Sequence, residues 1–133
     1  MNIEKNIEYI AEQLFEKGNL EVADKAFDVD YIAHDGDKIY KGQKFVKQFI
    51  KKIRLAFPDI KISSIEFLSQ TEDTLTWQRT FTGTHKADMY GVYASGKKLK
   101  WNEIIVSRLH EGIIIEEWVV SNLAFEMMLA RSK

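Results

Sequence analysis

Four strand-like segments follow one another in the second half of the chain, with turns and one longer loop between them but no helix. They cover residues 60–68, 74–85, 99–109 and 113–120. Consecutive strands joined by turns pair antiparallel, whereas a parallel pair needs a crossover that is usually helical. The sequence therefore predicts an antiparallel meander here and disfavours a repeated strand–helix–strand fold.

The first half of the chain carries helical patterns instead. Apolar residues recur at three- and four-residue spacing from Ile3 to Leu14, and Gly18 follows as a stop signal. A short helix is expected over residues 19–26. A broad apolar stripe over residues 45–57 predicts a third helix, which the chain's one proline ends.

Helices placed before a meander are typical of an α+β domain. We expect a cone-shaped, curved antiparallel sheet packed on three N-terminal helices, with a short C-terminal helix over residues 123–130. Two short strands, at residues 30–34 and 38–40, are expected to join the sheet.

Length and composition exclude several classes of protein. A chain of 133 residues with 45% hydrophobic content is expected to form one domain, residues 1–133, with a substantial core. A net charge of −1 leaves no electrostatic footprint for nucleic acid, and no apolar run is long enough to cross a membrane. Because the chain has no cysteine, disulfides and thiol chemistry are excluded. The N-terminus begins an amphipathic pattern rather than a signal peptide, so we expect a cytoplasmic protein.

The segment Trp77–His85 alternates between two unlike faces. One face carries Trp77, Arg79, Phe81 and His85, and the other carries glutamine and threonines. Aromatic walls with a few convergent polar groups are what a ligand pocket needs. A half-buried strand whose arginine pairs with a carboxylate fits this segment equally well.

Two late strands have no clean polar face. Residues 104–106 and 113–115 are runs of isoleucine and valine, and Val119 and Val120 adjoin Trp118. A strand that is apolar on both sides is covered on both sides. Helices and a pocket cover one side, and a second copy of the chain is the natural cover for the other. We therefore expect a homodimer.

An ordered set of short motifs resembles the SnoaL-like polyketide cyclases, also called ester cyclases, within the nuclear-transport-factor-2-like (NTF2-like) group. The motifs are Tyr31–Asp35, Gly42, Ile53–Ile60, Arg79–His85, Gly91, Arg108, Glu111–Gly112 and Glu116–Trp118. The resemblance covers most of the chain. It implies a cone of curved antiparallel sheet and three helices around one apolar pocket, a roll of the cystatin type, and usually a dimer.

The resemblance also implies a reaction, intramolecular aldol ring closure of a polyketide by one acidic residue without metal or cofactor. That acid lies four residues after the tryptophan of the family's Glu-x-Trp motif. In this chain the position is Asn122, preceded by Ser121. An amide does not shuttle a proton, so the sequence predicts a divergent pocket protein that lacks the family's acid.

Three residues are candidates for the missing proton-transfer role. His85 shares the pocket face, His34 matches a family histidine near the pocket mouth, and Glu103 shares a face with Trp101. Each has a structural alternative. His85 is equally a strand-end histidine bound to a loop carbonyl, His34 a turn residue, and Glu103 the ion-pair partner of Arg79. The predicted pocket residues are Trp77, Arg79, Phe81, His85, Trp101 and Glu103, with His34 and Asn122 near them.

Other chemistries have weaker support. Dispersed histidines and scattered glycines favour neither a metal site nor a phosphate loop, and no cofactor is expected. Three functions stay open: a divergent pocket protein for a small apolar or polyketide-like molecule, a cyclase- or isomerase-type enzyme using His85 or Glu103, and a non-catalytic binding or dimerisation module. Tyr9, Tyr31 and Glu103 would serve the isomerase, although their spacing does not require it.

Overall fold

The structure, a computed structural model, describes residues 2–131. Ten helices and strands follow one another in the order that the sequence predicts, and the four late strands begin and end within two residues of their predicted bounds. The elements are α1 (Ile3–Ala11), α2 (Val22–Ala26), β1 (Phe27–Asp35), β2 (Lys38–Lys41), α3 (Gly42–Ala56), β3 (Lys61–Gln70), β4 (Thr74–Thr84), β5 (Lys98–His110), β6 (Ile113–Ser121) and α4 (Leu123–Arg131).

The first helix does not continue as one α-helix to its glycine stop. It begins at Asn2, whose side chain accepts a hydrogen bond from the Lys5 amide, and after Ala11 it widens into a π-helical turn, Glu12–Glu16. The guanidinium of Arg54 donates to the carbonyls of Phe15 and Glu16 at 2.7 and 2.8 Å. These bonds hold the widened turn against α3.

Helix α3 is amphipathic, as its stripe predicts. Its buried face consists of Val46, Ile50, Ile53 and Ala56, and lysines occupy much of the remainder. The helix ends before Phe57, because Pro58 disfavours the helical conformation in the residue that precedes it.

The six strands form one curved sheet in the order β2-β1-β6-β5-β4-β3. The predicted α+β cone is confirmed, with one difference in strand direction. Four neighbouring pairs are antiparallel, but β1 lies parallel to β6. No tight turn joins these two strands, so chain connectivity does not impose an antiparallel direction on them.

The sheet has a buried inner face and a partly exposed outer face. Burial alternates along β5, where residues 99, 101, 103, 105, 107 and 109 are all buried. The apolar residues that made this strand look two-sided lie outside as cross-strand pairs, Ile104 with Val120 and Val106 with Trp118. We call these four residues the outer patch. Ile104 is 43% exposed and Val120 73% exposed.

Gly83 marks a close approach between the sheet and α3. A Cβ atom at this position would lie 3.1 Å from Cβ of Phe57, closer than most side chains tolerate. Glycine therefore lets the C-terminal end of α3 pack directly on β4.

Among residues 2–131, no helix is long and apolar enough to cross a membrane.

Candidate functional site

A cavity of about 450 Å³ lies between α3, the π-helical turn and the inner face of β1, β4, β5 and β6. Its apolar lining comes mainly from the helices and β1: Leu14, Phe15, Phe27, Ala33, Phe45, Val46, Phe49, Ile50 and Val119. Its polar lining comes mainly from the strands and the cavity mouth: Tyr31, His34, Asp35, Tyr40, Gln48, Lys52, Arg79, Tyr90, Glu103, Glu117 and Ser121.

An ion pair forms part of the polar wall. Arg79 and Glu103 are cross-strand partners, and the guanidinium Nε and Nη2 atoms donate to Glu103 Oε1 at 2.8 and 2.7 Å. Their side chains are only 12% and 5% exposed. The guanidinium also lies against the rings of Phe15, Trp77 and Phe81, at 4.7, 5.2 and 5.4 Å from their centroids. Aromatic contacts and a carboxylate thus hold this buried cation in a fixed position.

A second carboxyl group, that of Glu117, lies deeper in the same wall. The Tyr31 hydroxyl donates to Glu117 Oε1 at 2.8 Å, and the Ser107 hydroxyl donates to Oε2 at 2.5 Å. The indole of Trp77 in turn donates to Ser107 at 3.0 Å. Burial raises the pKa of the Glu117 carboxyl and raises the pKa of Tyr31 well above its usual value. The phenol therefore stays neutral, and the carboxyl retains its proton at a higher pH than an exposed glutamate does.

The cavity mouth is polar. His34 borders the mouth, but its ring lies on the outer face of the sheet, where Nε2 is 2.7 Å from Glu116 Oε2 and the ring stacks on Trp118 with centroids 4.8 Å apart. Tyr90 lies across the mouth in a turn with φ of +53°, a conformation that is uncommon for a large side chain. Partial burial, together with the nearby Glu103 and Asp35 carboxylates, raises the pKa of Tyr90 to about 12, so this phenol also stays neutral.

The structure brings two of the predicted pocket residues, Arg79 and Glu103, to the cavity wall, and His34 borders the cavity with its ring on the outer face of the sheet. Three others, Trp77, Phe81 and Trp101, belong to the core beside it and are at most 2% exposed. Strand parity assigns a residue to the inner face but does not say whether that face meets a cavity or a helix there.

His85 is also placed away from the cavity. It is completely buried and stacks on Phe57, with ring centroids 5.1 Å apart. Strand rise puts it about 20 Å along β4 from Arg79. The backbone of His85 bonds to Gly96 and Lys97, and the imidazole interacts with the Ala87 backbone. Because burial lowers its pKa by more than the Ala87 contact raises it, the imidazole is neutral at pH 7.

Asn122 does not line the cavity. It is exposed at the end of β6, and its amide oxygen accepts a hydrogen bond from the Asn102 backbone at 2.8 Å. Its own backbone carbonyl accepts the first bond of α4, from Glu126. Asn122 thus ties β5 to the start of α4, and its neighbour Ser121 reaches the cavity instead.

Sequence reasoning did not select Glu117 for the pocket. The alternation of β6 shows that Glu116 and Glu117 point to opposite sides, but it does not say which one points inward. The hydrogen bond from Tyr31 identifies Glu117 as the inner residue. This contact forms only when β1 pairs with β6, so the sequence alone does not show it. Among residues 2–131, no group of three His, Asp or Glu side chains is arranged to hold a metal ion.

Solved structures with the same architecture include three from bacteria. A proposed polyketide cyclase from Acidithiobacillus ferrooxidans matches with a TM-score of 0.81 and 22% identity over 98% of this chain and 94% of that one. A SnoaL-like polyketide cyclase from Agrobacterium tumefaciens matches with a TM-score of 0.78 and 15% identity over 97% of this chain and 98% of that one. An NTF2-like protein from Anabaena variabilis matches with a TM-score of 0.70 and 15% identity over 89% of this chain and 84% of that one. At these identities the likeness establishes the fold.

Comparison with the curated proteins gives no match. The sequence model of the SnoaL-like polyketide cyclases matches residues 6–127, which is nearly the whole chain. This confirms the resemblance carried by the motifs. The chain belongs to the SnoaL-like polyketide cyclase family.

Proposed function

We propose that this protein binds a small, largely apolar, polyketide-like molecule with a carbonyl or hydroxyl oxygen. The observation that carries this proposal is the division of the cavity into an apolar lining and one polar wall, formed by Tyr31, Arg79, Glu103 and Glu117. A volume of about 450 Å³ lies within the usual range of small-molecule sites. The apolar surface holds the ligand skeleton, and the polar wall orients its oxygen.

The charges of the wall favour a neutral ligand. The positive charge of Arg79 is already balanced by Glu103, at 2.7 Å. Burial favours the neutral form of Glu117, so the wall has little net charge to offer an ion. Hydrogen bonds to the unused N–H groups of Arg79 suit a carbonyl oxygen.

A cavity-filling substitution tests the binding site. Ala33 is 6% exposed and lines the cavity, so Ala33→Phe places a ring where the ligand skeleton would lie. We expect it to weaken binding of the neutral fluorescent dye N-phenyl-1-naphthylamine, and of a dihydroxyanthraquinone that displaces it, by about tenfold or more, or roughly 1.4 kcal/mol.

The matched control is Ala124→Phe, on the exposed surface of α4. It should bind both compounds as the natural protein does, and circular dichroism should show both variants folded. Unchanged affinity in a folded Ala33→Phe variant would place the ligand elsewhere and reject the proposal.

We further propose that the cyclase reaction of the family has lost its acid in this chain. Two contacts support this: Asn122 is engaged with the Asn102 backbone, and Glu103 is engaged with Arg79. The burial of His85 away from the cavity weakens its candidacy as a replacement. The alternative of a non-catalytic binding module is favoured by the same loss at Asn122.

Restoring the acid at that position is expected not to restore ring closure. In Asn122→Asp the carboxylate can accept the same hydrogen bond from Asn102, which holds it outside the cavity. Cyclisation of a linear polyketide-like ester, followed by mass spectrometry, should therefore stay at the level of the natural protein. Cyclisation that appears only in Asn122→Asp would show that the side chain reaches the ligand.

We also propose that the protein is a homodimer paired through the outer patch. In support, Ile104 and Val120 are neighbours across β5 and β6 and are both substantially exposed. Adjacent exposed apolar residues on a sheet face are typical of an interaction surface.

A further inference from the structure

Glu117 is a buried carboxyl group that faces the cavity and lacks the ion-pair partner that Glu103 has. Within the described chain, Arg79 forms its ion pair with Glu103, and Glu117 is bound by neutral donors. Burying a carboxyl group without a cation is costly, so its retention at a ligand cavity calls for a functional reason.

We infer that Glu117 is the proton-transfer residue of this cavity: it removes a proton from the carbon next to the carbonyl group of a bound ligand. This inference rests on the proposed function, because it needs a carbonyl compound in the cavity. It assigns a tautomerase- or isomerase-type reaction to a residue other than the one at the family's acid position.

The hydrogen bonds of Glu117 fix its orientation without using all of its acceptor capacity. Tyr31 binds one carboxyl oxygen and Ser107 binds the other. Ser107 is itself held by the indole of Trp77, at 3.0 Å. Each carboxylate oxygen has a second lone pair, which is available for a ligand proton.

The surroundings make the ionised carboxylate a stronger base than an exposed one. Burial raises the pKa of Glu117, whereas Ser107, Arg79 and Tyr31 act to lower it and Glu103 acts to raise it. These groups come from β1, β4 and β5, the strands whose side chains face it. A base whose pKa is shifted toward neutral pH is better matched to proton transfer near pH 7.

The proposed step balances without a further reagent. Ionised Glu117 takes the α-proton, the C–H electron pair forms the C=C bond of an enolate, and the carbonyl electron pair moves to oxygen. An N–H group of Arg79 donates to that oxygen and stabilises its charge. Glu117 then returns the proton to the same carbon or to another carbon of the enolate system, and the carboxylate is regenerated.

Deuterium exchange measures this step directly. The bicyclic ketone α-tetralone is the probe, and its uptake of deuterium from D₂O next to the carbonyl is followed by mass spectrometry. Displacement of N-phenyl-1-naphthylamine measures its binding separately. We expect the natural protein to catalyse exchange, and Glu117→Gln to bind the ketone equally well but exchange it about 10²-fold more slowly, or slower still.

The matched control is Glu66→Gln, which makes the same change on the exposed surface of β3. It should exchange the ketone as the natural protein does. Ser107→Ala gives a second readout. The Ser107 hydrogen bond lowers the pKa of Glu117, so its loss should move the rise of the exchange rate to higher pH. A purely structural role for Ser107 would lower the rate equally at every pH.

The outcomes separate this inference from the proposed function. Bound α-tetralone without protein-dependent exchange, or exchange that survives in Glu117→Gln, overturns the inference and leaves ligand binding intact. Failure of the ketone and the anthraquinone to bind at all rejects both. If Glu117→Gln does not fold, an unmoved pH profile in Ser107→Ala overturns the inference.

Discussion

Replacing Glu103 with alanine is expected to lower the free energy of unfolding by about 3–5 kcal/mol, because it leaves the buried guanidinium of Arg79 without its counter-charge. The two side chains are 5% and 12% exposed, so water cannot easily replace the lost carboxylate. Urea denaturation followed by tryptophan fluorescence measures the change.

The matched control breaks an exposed ion pair. Asp73 accepts from Arg108 at 2.8 Å, and its side chain is 53% exposed. Asp73→Ala should therefore cost only about 0–1 kcal/mol. Replacing both buried partners, as Arg79→Met with Glu103→Leu, should recover most of the loss, since no charge is then left unpaired. A Glu103→Ala variant as stable as the control would mean that the guanidinium is solvated.

The ion pair is also the part of the candidate site that was most accessible from sequence. Alternation along Trp77–His85 places Arg79 on the inner face, and the same rule places Glu103 beside Trp101. Both inferences need only the local two-residue period of a strand. The pairing of Arg79 with Glu103 also needs the register of β4 and β5, which the long connection over residues 85–97 does not fix.

Contacts between strands that are far apart in sequence could not be predicted from this alternation. Tyr31 and Glu117 are 86 residues apart and meet through the parallel pairing of β1 with β6. A register shift between Arg108 and Leu109 also changes which residues of β6 lie opposite β5. No local pattern records such a shift, so the sequence left both Glu116 and Glu117 as possible inner residues.

The sequence also did not show which positions along a strand face the cavity. His85 lies on the inner side, as parity requires, yet it packs on Phe57 at the end of α3 instead of facing the cavity. Asn122 was placed near the pocket by the family pattern, and its contact with Asn102 directs it elsewhere. Whether an inner-face residue lines the cavity or packs in the core depends on where the helices cross the sheet. Packing between elements far apart in sequence sets that position.

The outer patch leads to the second large expected effect, the loss of the dimer in a charged double variant. We expect the natural protein to have the mass of a dimer at micromolar concentration and Ile104→Lys/Val120→Lys to have the mass of a monomer. Two lysines from each copy would lie in one apolar contact, and burying such unpaired charges is costly. A rise of roughly 10²-fold or more in the dissociation constant is expected, or about 3 kcal/mol. Light scattering after size-exclusion chromatography measures both masses.

Because the substituted residues are exposed, this test measures assembly and not folding. Val120 is 73% exposed and Ile104 43% exposed, so lysine at either position should leave the isolated fold intact, with an unchanged circular dichroism spectrum. Leu55→Lys is the control, because Leu55 is 72% exposed on α3, away from the sheet face, and should leave the mass of a dimer. A natural protein that is monomeric, or a double variant that still pairs, would mean that solvent covers the outer patch. In that case the apolar outer sides of β5 and β6 would need a different explanation from the one their sequence suggests.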